Sequence, residues 1–542
     1  MNRSTTLALG LLVLVAAVAV RLPALTAALP YMSYVDEGHV LHRSLHLLAK
    51  GTWEPETYSY PSLPFYTVAA AALAWSPIYR LGHGRPLRQD LSPDPPQYYD
   101  VLEPAALIVL GRLVTLAFSL GVVALTGLLA RRLAGPAAGL LAAWLAALVP
   151  ALVVRSSVVN INPMVAFFTL AALLFAERAR DDGRPRREAA WAGAMTGLAA
   201  ATKYPAVLVA LPVALALWLS PASWRERLRR LLLAGGCAVG AFLVAMPAIV
   251  LRTDKVLAGL REMSLVYASQ EAGSYWDQAV HRAEWDLPLE HPEVGIAFLV
   301  LASAGLVVAL REPRWRRPAW GWLLFGAATC LMVAPYKFRA FRNLLALVPL
   351  GCVLVALLFA RLRQAVPRPR WVDAAAAVLP IALFAPGLQQ VTGFYLALED
   401  SREQAIRWLA EHAGPRDKVI FLAELSFAPA RVASLAAETD VKVWDLAWER
   451  INKRRFRYLV LGELTREDGS PKLPEEARSW IFKNYAIAAR FGKYPTSPWG
   501  NTFKGNGQRV YVLKRVPRTG GARTPAEPNR EGRLRPGASL LD

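Results

Sequence analysis

The sequence predicts a mainly α-helical bundle that crosses a membrane many times, with a soluble α/β domain at its C-terminal end. Three observations predict it. Of 542 residues, 55% are hydrophobic and 19% charged, whereas soluble proteins carry about 25% charged residues. The Ala, Leu and Val surplus is gathered into long blocks. The arginines behind a net charge of +21 stand between those blocks, which is the pattern of cytoplasmic membrane loops rather than of a nucleic-acid surface. An ordinary cytosolic enzyme is excluded, and no nucleic-acid partner is expected. Cys237, Cys330 and Cys352 all lie inside apolar runs, so neither a disulfide framework nor a Cys-based zinc site is on offer.

A bilayer core takes about 20 apolar residues per helix. That ruler gives eleven spans, near 6–28, 107–130, 136–154, 163–176, 189–202, 205–220, 231–251, 292–310, 319–335, 343–360 and 371–390. Several contain proline, which membrane helices tolerate where neighbours bond the freed carbonyls. The block from Leu63 to Ile78 differs. Its uninterrupted apolar stretch runs only from Thr67 to Trp75, bracketed by Pro61, Pro64 and Pro77. It reads as an interfacial or partly inserted helix in a first outer loop, residues 31–104. With that block not spanning, the loops at 131–132, 178–187, 225–230, 311–317 and 361–370 all fall on one side. They hold nineteen arginines, and the positive-inside rule makes that side cytoplasmic. The first span also has the basic start, apolar stretch and small residues of a signal peptide; on either reading the chain after residue 30 lies outside. The membrane domain is thus 1–390. Residues 391–516 alternate a helical pattern (401–412) with strand patterns (418–423, 441–446, 458–462, 509–514), predicting an outer-face α/β domain. The Gly-, Pro- and Arg-rich tail, 517–542, is predicted to be disordered.

On this topology the polar residues of the outer loops carry the candidate chemistry, because ionisable groups at membrane depth are costly. Asp36 and Glu37 follow the first span. Adjacent carboxylates there can orient and deprotonate a hydroxyl or take part in holding a divalent cation; they can equally cap the helix starting near Gly38. His39, His42 and His46 share one helix face. His39 and His42 are weak metal candidates, against an amphipathic helix that buries Leu41, Leu45 and Leu48 in the membrane interface. Tyr60 and Tyr66, in an aromatic, Pro-rich segment, either line a groove for a lipid chain or sugar or anchor at the interface. Lys203 and Tyr204 occupy a tight outer turn, where a lysine snorkels or meets an anion such as phosphate. Arg339 and Arg342 stand in another outer turn against the positive-inside bias; a phosphate clamp explains them, and lipid headgroups are the competing ligand. Arg112 and Arg155 close outer span ends. Asn160 and Asn162 offer neutral hydrogen bonds to a polar ligand, or cap the helix ahead of Pro163. Carboxylates in the first loop and cations in later ones suit an incoming hydroxyl and a departing phosphate.

These residues resemble the GT-C superfamily of integral membrane glycosyltransferases, in particular its bacterial family 39 type, which includes protein O-mannosyltransferases and relatives of the lipid A aminoarabinose transferases. The resemblance rests on Asp36-Glu37 after span one and on Tyr60-Pro61-Ser62-Leu63-Pro64-Phe65-Tyr66. It continues with Arg112, the run Arg131 to Gly135, the run Gly197 to Pro205, and the turn from Arg339 to Asn343, so that it covers most of residues 5–360. It implies a GT-C-like catalytic domain that moves a single sugar, a hexose or pentose with mannose among them. The donor it implies is a polyprenyl-phosphate carrier, and the acceptor is a hydroxyl of a protein, lipid or glycan at the outer face of the cytoplasmic membrane, usually with inversion. Asp36 then becomes the base, with Glu37 beside it. Lys203, Arg339, Arg342 and Arg112 become ligands of the carrier phosphate, and Tyr60, Tyr66, Tyr204, Asn160 and Asn162 substrate-binding residues. No cofactor is required, and a divalent metal is compatible. Many relatives carry an Asp-Pro where this chain has Asn162-Pro163, a departure that bears on acceptor and metal use. A transporter or flippase for lipid-linked sugars, and a non-catalytic scaffold of the same architecture, are the alternatives.

Overall fold

A computed structural model describes residues 3–32, 34, 36–91, 101–181, 183–267, 294–334, 341–366, 370–422, 427–436, 440–444, 456–462, 475–492 and 510–516. Arg339, the tail from 517 and several internal stretches, the longest being 268–293, lie outside these residues. The chain divides into two compact units: Met1–Thr26, His39–Pro96 and Leu107–Tyr395 form the first, and Ala27–Gly38, Gln97–Ala106 and Leu396–Asp542 the second.

The first unit is helical. It contains α1 (Arg3–Ala19), α2 (Leu22–Leu25), most of α3 (Glu37–Lys50), α4 (Leu63–His83), α5 (Ala106–Ala134), α6 (Pro136–Leu148), α7 (Pro150–Ser156), α8 (Asn162–Asp181), α9 (Pro185–Thr202) and α10 (Ala210–Trp218). It continues with α11 (Trp224–Ala245), α12 (Ala248–Leu251), α13 (Thr253–Tyr267), α14 (Ile296–Arg311), α15 (Pro313–Val333), α16 (Val348–Ala365) and α17 (Arg370–Ala397). The stretches expected to span coincide with helical segments, but the first (6–28), third (136–154) and seventh (231–251) are each divided between two helices. Among the described residues four helical stretches are long and apolar enough to cross a membrane, Ala106–Ala134, Trp224–Ala245, Phe341–Ala365 and Arg370–His412, and a fifth is the bent pair α6–α7. Leucines and valines stay exposed on the outside of the unit, among them Leu11, Leu232, Val244, Val300 and Val378. A bundle apolar outside as well as inside belongs in hydrocarbon.

Proline shapes the breaks. Val149 is extended (φ −60°, ψ 121°) ahead of Pro150, as steric clash with the proline ring requires, and the axis bends by 58° between α6 and α7. No water reaches such a break in a bilayer; buried Arg21 serves it instead. Its guanidinium donates to Ala147 O (2.8 Å), to Ala17 O (2.8 Å) at the end of α1, and to Ser156 Oγ (2.7 Å). The first helix therefore stops at Ala19 rather than running through Arg21 as one span.

The block expected to be interfacial forms α4, a continuous 21-residue helix with Pro77 inside it, and is not among the helices apolar enough to cross. Its Leu73, Ile78 and Leu81 are exposed. The expected burial of α3 in the membrane interface is corrected. Leu41 (1% exposed) and Leu45 are covered by protein, and Leu41 lies against the bare backbone of Gly111 in α5.

The arginine-rich loops meet at one end of this unit. Arg132 donates to Glu177 O, Arg230 to Ala179 O, Trp315 Nε1 to Leu133 O and Arg317 to Leu219 O. Arg186 pairs with Glu226, and Arg361 faces Glu312. Helices α8 and α9 run from that end to Asn162 and Lys203, a length of about 27–30 Å at 1.5 Å per residue.

The second unit contains α18 (Ser401–His412), β1 (Lys418–Leu422), α19 (Pro429–Ala436), β2 (Asp440–Trp444), β3 (Tyr458–Leu461), α20 (Glu475–Asn484), β4 (Tyr485–Phe491) and β5 (Val510–Arg515). The sheet order is β2-β1-β3-β5-β4; β1 is parallel to β2 and β3, and β5 antiparallel to β3 and β4. Alternation along the strands feeds two cores. Val419, Phe421, Val460 and Val512 pack on Leu409 of α18, while Ile420, Leu459, Leu461 and Leu513 pack with Ile481 of α20. Asp400 caps α18 by accepting from Arg402 N, and its carboxylate also takes the Arg402 guanidinium, which lies 3.8 Å from the Tyr31 ring centre.

Small residues set the packing of α9 on α11. A Cβ added at Gly193 would stand 2.0 Å from Ala234 O, and one at Gly197 2.1 Å from Ala238 O, the close approach that a Gly-x-x-x-Gly face permits. Gly193→Val is expected to cost about 1–3 kcal/mol through overpacking and to lower the midpoint of thermal unfolding in detergent. Gly235→Ala on α11, with nothing within 4 Å of its added Cβ, should leave that midpoint unchanged or raise it.

The loop ahead of α4 is clamped to α13. Glu54 binds Arg252 (2.8 Å) and Lys255 (2.9 Å), and Gly259 lets the Tyr58 backbone lie directly on α13. Lys255, with Arg252 beside it, holds the Glu54 carboxyl below the usual carboxylate range. A depressed carboxyl contributes stability that is complete above its unfolded value, about 4.3, and lost as pH falls through the lower folded one. Glu54→Gln should therefore speed hydrogen exchange in residues 52–62 at pH 7, and the difference from wild type should close as the pH is taken below about 4.

Candidate functional site

Three helix ends of the first unit converge on a cavity of about 430 Å³. Helix α9 stops at Thr202 because Lys203 turns extended (φ −155°, ψ 121°) ahead of Tyr204-Pro205. A 3₁₀ turn, Tyr204–Val209, then leads into α10. Helix α8 opens at Asn162-Pro163, and a second 3₁₀ turn, Phe341–Leu347, precedes α16. Ser59, Tyr60 and Pro61, with Leu260, Met263 and Ser264 of α13, complete one wall; Phe325, Thr329 and Met332 of α15 form another. The cavity follows α8 from Asn162 to Thr169, about 10 Å at the helical rise.

At its polar end, Lys203 Nζ donates to Asn162 Oδ1 (3.1 Å) and to Asn343 Oδ1 (2.7 Å). Arg342 also lines the cavity. Among the described lining residues these two are the charged ones; none is acidic, and most of the rest are apolar. Amide oxygens orient an ammonium without cancelling its charge. The arrangement suits a ligand with an anionic head and an apolar body.

The sequence candidates separate. Tyr60, Asn162, Lys203, Tyr204 and Arg342 line the cavity. Tyr204 also donates from its hydroxyl to Tyr58 O (3.0 Å), tying the lysine turn to the first outer loop. Asn160 bonds locally. Its Oδ1 accepts from Asn162 N (2.8 Å) and Asn162 Nδ2 (2.7 Å), which leaves the Asn162 oxygen for Lys203. Tyr66 donates to Trp53 O outside the lining set. Arg112 is buried and closes α2 by donating to Ala24 O (3.1 Å) and Leu25 O (3.0 Å). Arg155 is buried, with Phe341 5.5 Å away. Asp36 and Glu37 belong to the second unit. Glu37 is buried and accepts from Tyr34 N (3.4 Å), closing the turn before α3, while Asp36 is half-buried. His39 packs on Tyr60 and Phe65, and His46 pairs with Glu56 (2.9 Å). Among the described residues no three His, Cys, Asp or Glu side chains are grouped to hold a metal ion. Arg339 lies outside the described residues.

Thr169, Thr329 and Ser264 line the cavity without standing out in the sequence, and Asn343, noted there only as the end of the Arg339 turn, lines it too. Lone hydroxyls inside apolar spans read as helix back-bonds, which Thr329 makes to Phe325 O (2.7 Å). The available signal was Asn343 itself, an amide at the foot of a span beside Arg342.

The model of the dolichyl-phosphate-mannose-protein mannosyltransferase family matches residues 106–251, about a quarter of the chain, from α5 to α12 and including Asn162 and Lys203. No match is found among curated protein sequences. Among solved structures, ArnT from Cupriavidus metallidurans bound to undecaprenyl phosphate is similar with a TM-score of 0.53 at 13% identity, over 94% of this chain and 98% of that one. Oligosaccharyltransferase AglB from Archaeoglobus fulgidus, in complex with an inhibitory peptide and a dolichol-phosphate, is similar with a TM-score of 0.51 at 14% identity, over 84% of this chain and 69% of that one. At these identities the likeness concerns the fold. The chain thus shares the fold of these two membrane proteins, and its segment 106–251 matches the mannosyltransferase family model.

Proposed function

We propose that the protein transfers a single sugar from a polyprenyl-phosphate carrier to an acceptor hydroxyl at the outer face of the membrane in which it sits. The observation that carries this reading is the cavity: Lys203 and Arg342 at a polar end, no acidic lining residue among those described, and apolar walls continuing along α8. A phosphate monoester or diester attached to a hydrocarbon has that division of character. The ArnT structure with undecaprenyl phosphate bound supports the choice of carrier. The gathering of the arginine loops at the opposite ends of α8 and α9 supports an outer-face position for the cavity, by the positive-inside rule.

In the reaction the acceptor oxygen attacks the sugar's anomeric carbon as the bond to the carrier phosphate breaks. The phosphate leaves with the bonding electrons, and Lys203 and Arg342 take up its charge. The acceptor proton passes to a carboxylate, and Asp36 is the residue assigned to it, on the GT-C resemblance of the Asp36-Glu37 pair and on its half-exposed place ahead of α3. Glu37, engaged with Tyr34 N, holds that turn.

Two measurements test this on the full chain in detergent. Lys203→Ala should weaken binding of undecaprenyl phosphate about 10- to 100-fold, the worth of a charge-assisted hydrogen bond. With radiolabelled polyprenyl-phosphate sugars and a membrane extract as acceptor pool, Asp36→Asn should lower transfer by about 10²- to 10⁴-fold while carrier binding stays intact. Transfer persisting in Asp36→Asn would remove that residue from the chemistry. Carrier binding without transfer from any donor, in wild type, would favour translocation or scaffolding.

A further inference from the structure

Two amides hold the Lys203 ammonium, and they are not equivalent. Asn162 is engaged at both ends: its Oδ1 accepts from Lys203 and its Nδ2 donates to Asn160 Oδ1 (2.7 Å). Asn343 is used on one side only. Its Oδ1 accepts from Lys203 Nζ at 2.7 Å, and its Nδ2 is buried without a hydrogen-bond partner among the described residues. An ammonium can only donate, so it fixes which end of the Asn343 amide faces it, and the N–H₂ end is thereby turned elsewhere. Asn343 lines the cavity, and a buried donor with no partner calls for an explanation.

We propose that Asn343 is an anion-binding residue of this cavity: its Oδ1 fixes the Lys203 ammonium and its Nδ2 donates to an oxygen of the phosphate that Lys203 faces. The inference rests on the carrier reading and extends it by assigning a neutral donor to the phosphate site. The device has a clear chemical logic. A cation and an amide N–H, joined through the amide oxygen, present two donors as one rigid unit, so that less side-chain freedom is lost when the anion arrives. Asn162 contributes position alone, and Arg342 lies beside Asn343 on the same 3₁₀ turn.

The test uses full-length protein in detergent, titrated separately with undecaprenyl phosphate and with inorganic phosphate. Asn343→Asp keeps the shape and an oxygen for Lys203 but replaces the N–H donor with negative charge. It should weaken both ligands by about tenfold or more. Asn343→Ser, a smaller polar replacement that leaves the turn its space, should lose several-fold and retain the wild-type thermal midpoint. Asn343→Asp and Asn343→Ser binding both ligands as wild type does would overturn the inference while leaving the carrier reading standing. Wild type binding inorganic phosphate in an Asn343-dependent manner but not undecaprenyl phosphate would keep the anion site and overturn the carrier reading. Wild type binding neither would overturn both.

Discussion

A helix broken inside an apolar bundle has no water to bond its open carbonyls, and this constraint governs how the first unit is assembled. Each of the broken ends at α1, α2, α6 and α7 is met by a long polar side chain, for α2, α6 and α7 one from far away in the sequence. Arg21 serves the ends of α1 and α6, Arg112 closes α2, and Tyr395 donates to Val154 O in α7. Such a bond does more than satisfy a carbonyl: it joins elements far apart in sequence at a defined distance, because leaving either partner alone in hydrocarbon costs several kcal/mol.

The candidate site uses the same device with one change. At the ends of α8, α9 and the turn before α16, the long polar side chain is Lys203 and its acceptors are side-chain amides rather than carbonyls of a helix end. The ammonium thus links three elements and also faces a cavity. Neutral acceptors are what make both roles compatible, since a carboxylate at Asn162 or Asn343 would hold the lysine equally well and cancel its charge. With amides at both Asn162 and Asn343, the acceptors that hold Lys203 bring no negative charge to this end of the cavity.

Packing elsewhere serves to hold those ends still. The Gly193 and Gly197 approach brings α9 onto α11 backbone to backbone, which fixes where Lys203 emerges. The clamp of Glu54 on Arg252 and Lys255 brings Ser59, Tyr60 and α13 to the opposite wall. Core rigidity and site geometry are therefore linked through a few close contacts rather than through the many interchangeable leucines.

Hydropathy alone was enough to identify a polytopic helical protein, because about 20 apolar residues in a row have few other uses, and the strand alternation at Lys418–Leu422, Tyr458–Leu461 and Val510–Arg515 is likewise a local signal. The strand Tyr485–Phe491 escaped it, since α20 runs into it directly at Asn484 with no turn residue between them. The residue types of the site were also legible: Lys203, Tyr204 and Arg342 stand out as polar groups between apolar blocks. What only the tertiary structure decided is how those residues divide. Asn160 and Asn162 are two positions apart and look alike in sequence, yet one bonds its own turn and the other reaches a lysine 41 residues away. Arg112 and Arg342 are both span-end arginines, yet one closes a helix and the other lines the cavity. Local sequence sets which groups need partners; which partner each obtains depends on helix ends brought together by packing, and that information is nowhere local.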